Sequence, residues 1–407
     1  MPRPGRELVA ALVATAVGRV LVLALGLTDF WDTAFVSHMV QDLRTWLDFL
    51  AKARQGLIPY VDFSKEYPVL AGALYWAMAP FVRPWDLRQT VLVHGLVMAS
   101  VDLVNTALAY ALFREKNPER ALSFTLLFSL NLTTLLLSPI RFESVLVLFV
   151  LLGYRAHARG RPLWAVTWWS AGFWLKWVPA FFIAAQEWRA LVVEGRRWRW
   201  LASLAVFCGV ALVLNLPFAL AAGLTGGSLA PLIAPWKFHV QRPLYWDTLL
   251  GVGQIWLGPL PWERYGSWWT LGFVVLVLVL RPSLPLESKG TLLCIAAIVF
   301  NRIYSAQFHL WFYPFLLLGL IGDEGRRFRT ILRLGMALDL LNVVVFPLAF
   351  TLGLAEMDGF APYAAVQSGG PWTVVFSAAI IARAAVLVAL AVTLLIAPKV
   401  DAMMPDR

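Results

Sequence analysis

The residues able to do chemistry fall into two groups. The first lies between Thr28 and Pro68, where Asp29, Asp32, Asp42, Asp48, Asp62 and Glu66 stand against Arg44, Lys52, Arg54 and Lys65. Within this stretch Val36, Met39, Val40, Leu43, Trp46, Leu47 and Leu50 recur at the i, i+3, i+4, i+7 spacing of an amphipathic helix. The other face of that helix carries His38, Gln41, Asp42 and Thr45, with His38 and Asp42 one turn apart and able to touch. Laid along a membrane interface, the helix would turn Asp42 towards a cleft; the bland alternative is a solvated polar face. Gln55 to Pro68 follows as a loop punctuated by Gly56 and Pro59, with Asp62 and Glu66 beside Tyr60 and Tyr67. Acids and aromatics so packed suit recognition of a polyhydroxylated ligand, and suit equally a folded cap without chemistry.

The second group is charge lying within or at the ends of apolar runs: Arg19, Arg141, Glu143, Lys176, Arg302, His309 and Arg383. Each costs about 2.5 to 3.5 kcal/mol at the centre of an inserted helix, so each needs a reason. For Lys176, Arg302 and the loop residue Arg242 that reason is binding of an anion, such as a lipid phosphate, near the outer leaflet; the alternative is snorkelling or an internal ion pair. Arg19 and Arg383 read as structural, and His94 and His157 as bystanders.

The elements that must position these residues are membrane helices. The 407 residues are 60% hydrophobic and only 14% charged, too little polar surface to clothe a water-soluble domain. Apolar runs recur at roughly 8–27, 90–113, 121–138, 143–154, 201–220, 268–280, 291–304, 310–321, 331–352 and 372–397, predicting an all-α polytopic membrane protein of about ten to twelve spans in a single domain over 1–407. The segment 69–82 is short for a crossing. The segment 164–185 is interrupted by Lys176 and Pro179 and predicts two half-helices that dip in and return.

The net charge of +10 gathers between the runs, at Arg155, Arg159 and Arg161, at Arg189, Arg196, Arg197 and Arg199, and at Arg326, Arg327, Arg329 and Arg333. By the positive-inside bias these clusters are cytoplasmic, as are both termini, and residues 28–68 and 221–267 form the large extracytoplasmic loops. A basic start followed by an apolar run without a small-residue cleavage signature predicts a retained anchor. No basic face interleaved with stacking aromatics points to nucleic acid. Cys208 and Cys294 both lie inside apolar runs, so neither a disulfide framework nor a zinc site is expected.

Several short motifs, in order, resemble the GT-C superfamily of membrane glycosyltransferases, most closely glycosyltransferase family 87, the polyprenol-phosphate-mannose-dependent type. They are Asp42-Leu-Arg-Thr-Trp46, Gly56 with Pro59-Tyr60, Glu66-Tyr67-Pro68, Arg141-Phe-Glu143, Lys176-Trp-Val-Pro179, Phe238-His239-Val-Gln-Arg242 with Asp247, and Ser305-Ala-Gln307-Phe-His309-Leu-Trp311. Trp46 stands for the family's Tyr, Val69 for a second Pro, Glu143 for Asp, Ala306 for Pro and Phe308 for Tyr. The resemblance implies a GT-C-like bundle in a bacterial-type plasma membrane. Its implied activity is inverting transfer of a sugar, mannose favoured, from a polyprenyl-monophosphate donor to a hydroxyl of an envelope glycolipid or glycan.

A hydroxyl needs a carboxylate to take its proton as it attacks; Asp42 stands in the family's position, with Asp29 and Asp32 as rivals. The leaving phosphate needs fixed cations, for which Lys176, Arg242 and Arg302 are candidates and His309 a possible donor. His38, Tyr60, Asp62, Glu66 and Gln307 are assigned to sugar or acceptor recognition. A monophosphate donor can be served by side chains, so no metal and no cofactor are expected. The competing class is a transporter or flippase of a lipid-linked sugar, which would also carry intramembrane charge; the single interrupted helix and the absence of an evident inverted repeat weigh against it.

Overall fold

The computed structural model describes residues 4–27, 40–242, 244–245, 247–258, 266–348 and 371–396. Among these, the regular structure is helical throughout apart from one isolated bridge between Pro59 and Phe63. The first helices are α1 (Pro4–Leu27), α2 (Gln41–Arg54), α3 (Val69–Met78), α4 (Leu87–Lys116), α5 (Ala121–Leu130) and α6 (Leu132–Leu137). The middle of the chain forms α7 (Glu143–Ala158), α8 (Pro162–Phe173), α9 (Ala180–Val192), α10 (Arg199–Leu224), α11 (Ala230–Gln241) and α12 (Leu249–Leu257). The last are α13 (Gly266–Val279), α14 (Leu286–Val299), α15 (His309–Leu320), α16 (Gly325–Val343) and α17 (Pro371–Leu395).

Five stretches are single helices long and apolar enough to cross a bilayer, at Gly5–Leu25, Leu87–Lys116, Arg199–Leu224, Gly325–Leu348 and Thr373–Leu395, and the bent pair α5 and α6 makes a sixth if counted as one span. The protein is therefore an integral, multi-pass membrane protein. The expected spans over 268–280 and 310–321 are shorter apolar helices, as is the segment 69–82 that is short for a crossing.

One expectation is corrected and two are narrowed. The run 121–138 is not one straight helix: its halves meet at 50°. The break is at Asn131, whose backbone is extended and whose side chain serves both ends. Its Nδ2 donates to the Phe128 carbonyl at 2.8 Å, closing α5, and its Oδ1 accepts from Thr134 N at 2.9 Å, opening α6. The remaining donors at the start of α6 are met from far away, where Asp339 of α16 accepts from Leu132 N at 2.7 Å and Thr133 N at 2.8 Å. Second, the described residues of 221–267 are largely helical, since α10 continues to Leu224 and α11 and α12 follow. Third, the amphipathic helix begins at Gln41, and Val36 to Met39 lie outside the described residues. Its apolar face, with Val40, Leu43, Trp46, Phe49 and Leu50 buried, packs onto the protein itself.

The half-helix pair is present as expected. α8 runs away from the Arg161 turn, the chain breaks between Trp174 and Pro179, and α9 returns. Gln186 Nε2 of α9 donates to the Pro162 carbonyl at 3.3 Å, which brings the returning leg back beside the start of the outgoing one. With 12 residues in α8, the apex that carries Lys176 stands about 18 Å above the base. Trp169 holds α8 against α7 by donating to the Val150 carbonyl at 3.2 Å, at a place where Gly153 lets the indole lie on the helix backbone; a Cβ there would meet Trp169 Nε1 at 2.2 Å.

The structural reading of Arg19 holds. Arg19 Nε pairs with Asp102 at 2.7 Å and Nη2 reaches the Ser129 carbonyl at 3.1 Å, while Ser138 donates to the same Asp102 oxygen at 2.5 Å. Both ions are buried, so α1, α4 and the bent pair are joined by a buried polar network in an apolar setting, in which Arg19 Nη1 and Ser129 Oγ have no hydrogen-bond partner.

Candidate functional site

Asp42 occupies the first turn of α2, where a carboxylate is favoured by the helix dipole. Trp46, one turn on, holds that helix in place. Its indole stacks on Tyr75 with ring centroids 3.6 Å apart and on Tyr67 at 5.8 Å, and Tyr75 in turn stacks on His94 at 5.6 Å. His94 is pinned by the Pro139 carbonyl at 3.1 Å from its Nδ1. This four-ring column is the reason a tryptophan suits position 46: a smaller ring would leave α2 loose over α3 and α4.

Asp42 Oδ2 forms an ion pair with Arg141 Nη1. The arginine is almost wholly buried (6% side-chain exposure) and the carboxylate is open (44%), so the pair presents its acid outward from a fixed base. Arg141 lies in the extended link before α7, and two residues on Glu143 opens that helix. Glu143 Oε1 accepts from Lys176 Nζ at 2.6 Å, both side chains being buried. Around the ammonium stand Phe308 at 5.0 Å, Trp311 at 5.1 Å, Phe142 at 5.3 Å and Tyr67 at 5.6 Å, an aromatic cage for a cation. Lys176 was expected as a free anion-binding cation; here it is tied into an internal pair, the alternative weighed for it.

Tyr67 marks where the parts converge. Burial holds its phenol protonated, and Asp42, Glu66, Arg242 and Glu143 are all within electrostatic reach of it. His239 stacks edge-on against Tyr67 with centroids 6.4 Å apart and lies against the Glu66 backbone; burial, with Arg242 and Lys176 nearby, lowers its pKa to about 4. Arg242 spreads its guanidinium over Phe238 and Tyr245, at 5.3 and 5.1 Å, and its buried Nε has no hydrogen-bond partner. Arg302 secures the same loop from below, donating to the Arg242 carbonyl at 2.9 Å, while Tyr245 N donates to the Arg302 carbonyl at 2.8 Å. Arg383 of α17 lies over the Tyr304 ring at 3.7 Å and donates to the Asp247 carbonyl. Buried Asp247 has its pKa raised to about 6, since desolvation outweighs the opposing pull of Arg383 and Arg242.

The structure thus brings Asp42, Glu66, Lys176 and Arg242 together with three residues not singled out for site roles, Arg141, Glu143 and Tyr67. Other candidates stand elsewhere. Tyr60, expected to face a ligand, is fully buried, its hydroxyl donating to the carbonyls of Tyr67 at 2.8 Å and Pro68 at 3.0 Å. Its ring fits only because residue 72 is glycine, where a Cβ would meet Tyr60 Cε2 at 2.3 Å. Tyr60 is therefore a brace of the loop. Asp62 is exposed but accepts from Ile58 N at 2.7 Å, closing a turn. His309 is buried against Phe312 and Tyr313, with neither ring nitrogen hydrogen-bonded, and Gln307 is buried in the short turn Ala306–Phe308 before it. Asp29, Asp32 and His38 lie outside the described residues. Among the described residues no three His, Cys, Asp or Glu side chains converge as metal ligands.

No family model matches the chain, and no curated protein does.

Proposed function

We propose that the chain is an inverting, GT-C-like glycosyltransferase that moves a sugar, mannose favoured, from a polyprenyl-monophosphate donor to a hydroxyl of an envelope glycolipid or glycan. The observation that carries this reading is the open carboxylate of Asp42, held on buried Arg141, in one cluster with the cation of Arg242. Arg141 engages Oδ2, which leaves Oδ1 as the atom to accept the proton of the attacking hydroxyl. The new bond forms between that oxygen and the anomeric carbon. The old bond to the phosphate oxygen breaks with its electron pair, and the leaving phosphate gains charge that Arg242 is placed to neutralise. Lys176, bound to Glu143, adds field strength at the apex and moves onto phosphate only if Glu143 releases it. Glu66 and Tyr67 then border the sugar, and no metal is required of the donor chemistry. In this reading the three shorter apolar helices span as well, and so do α7 and α14, which brings the bundle within ten to twelve crossings with the site on the extracytoplasmic side.

The decisive experiment is transfer from radiolabelled lipid-linked mannose by purified protein in nanodiscs, with and without EDTA, beside donor binding. The expected outcome is transfer insensitive to EDTA, abolished in Asp42→Asn while donor binding persists. A wild type that binds or moves the lipid without transferring its sugar would put a lipid-linked sugar transporter in its place.

A further inference from the structure

The basic turn at the opposite end of the α8 and α9 hairpin is unused by that chemistry. Between α9 and α10 the chain reads Arg189 to Arg199 with Glu194, Arg196, Arg197 and Trp198 in the turn. Glu194 faces three guanidiniums at once: Arg189 at 3.7 Å, Arg196 at 3.5 Å and Arg199 at 3.5 Å. All three distances exceed the 2.7 to 2.9 Å typical of a charge-assisted hydrogen bond, as one carboxylate cannot close on three arginines. Arg199 also reaches Glu187 at 3.3 Å. Four arginines (189, 196, 197, 199) against two glutamates (187, 194) leave two positive charges uncompensated, and they sit at the N-terminus of α10, whose dipole adds to them. The α7 turn, with Arg155 and Arg159, is adjacent, since His157 of that turn hydrogen-bonds Gln186 at 2.7 Å and lies within electrostatic reach of Arg199 and Arg189.

What lies next to this charge decides the ligand. Trp198 is 80% exposed and Trp164 and Trp200 are also exposed, bracketing the turn as interfacial indoles do. Beyond them runs α10, 26 residues long and apolar, with none of its most apolar window buried against the rest of the chain. An anion meeting Arg196 and Arg197 therefore has a bare hydrocarbon-compatible surface directly beside it. We infer that the turn between α9 and α10 is a docking surface for an anionic phospholipid, the headgroup phosphate on Arg196 and Arg197 and the acyl chains along α10. The surface is independent of the sugar-transfer reading.

The test is native mass spectrometry of the full chain released from detergent containing equal phosphatidylglycerol and phosphatidylcholine. Wild type is expected to retain phosphatidylglycerol by roughly tenfold or more over phosphatidylcholine, in keeping with two surplus charges near an anionic surface. The preference is expected to weaken as salt rises. The doubly substituted Arg196→Gln, Arg197→Gln protein, altered only at exposed positions, is expected to lose most of it, and Trp198→Ala to lower retention of both lipids. Equal retention of the two lipids by wild type, an unchanged preference in the double variant, or displacement of the lipid by millimolar inorganic phosphate would each overturn the inference, the last by showing a free-anion site instead.

Discussion

The pair Lys176 and Glu143 shows what a buried ion pair fixes and what it exposes to damage. Two charges taken from water are balanced only by each other, so removing one strands the other. Lys176→Met is expected to lower stability by about 3 to 5 kcal/mol, and the double replacement Lys176→Met, Glu143→Leu to restore much of that loss. Thermal unfolding of the three proteins in one detergent checks the order; a double variant as unstable as the single would show that the pair matters for packing rather than charge.

Asp247 carries a second expectation at the same scale. Its pKa rises from the ordinary 3.8 to about 6 on burial, so the folded state binds the proton more tightly. The stabilisation this provides is complete below pH 4 and disappears as pH climbs through 6, a change of about 3 kcal/mol. His239, lowered to about 4, works in the opposite sense, its contribution falling away as pH drops from 6.5. The two offset each other in the wild type, and the difference between wild type and Asp247→Asn isolates the first. The variant's advantage is expected at neutral pH and to shrink on acidification towards pH 4, measured as melting temperature against pH.

At the scale of elements, the bend between α5 and α6 rests on Asn131 and Asp339 together. Asp339→Ala removes the acceptor for the N–H groups of Leu132 and Thr133 and is expected to destabilise by about 1 to 2 kcal/mol, read from the unfolding midpoint. This element also shows where sequence legibility ends. Apolar residues run on both sides of Asn131, and the carboxylate that caps the second half is 207 residues further on, so nothing local marks the break. The hairpin at Lys176 was legible because its interruption is local: a lysine and a proline inside one apolar run. The apolar stripe of α2 was legible from spacing, but not its destination, since the Tyr75 and Tyr67 rings that receive Trp46 come from α3 and the loop before it. Tyr60 misled for a related reason. A tyrosine among acids looks the same whether its ring faces ligand or backbone, and only the proximity of Gly72 decides. Of the candidate cluster, the acids and cations were legible as types, while the pairing of Asp42 with Arg141 across 99 positions (141 − 42) required the fold.

For the molecule as a whole, charge and site sort to opposite ends. α7 opens at Glu143, beside the candidate cluster, and closes at the Arg155 and Arg159 turn. Its 16 residues separate the two by about 24 Å, most of the hydrocarbon thickness of a bilayer. Single cysteines placed at exposed Ser64 and Arg197, in a background with Cys208 and Cys294 replaced, are expected to react with membrane-impermeant maleimide from opposite sides of sealed vesicles. Labelling of both from one side would refute the sorting.

The α8 and α9 hairpin also has a bearing on chain topology as a matter of parity. Both legs start and finish at the same end, so the pair adds an even count of partial passages and leaves the sidedness of everything from α10 onward unchanged. Excising residues 162–192 as a block would therefore preserve the insertion polarity of the remaining spans, although it removes Lys176. Losing one leg alone would force every later helix to invert or the surviving leg to leave the bilayer. A segment that carries Lys176 to the Glu143 end of α7 can thus be lengthened, shortened or replaced in evolution without rewiring the rest of the protein.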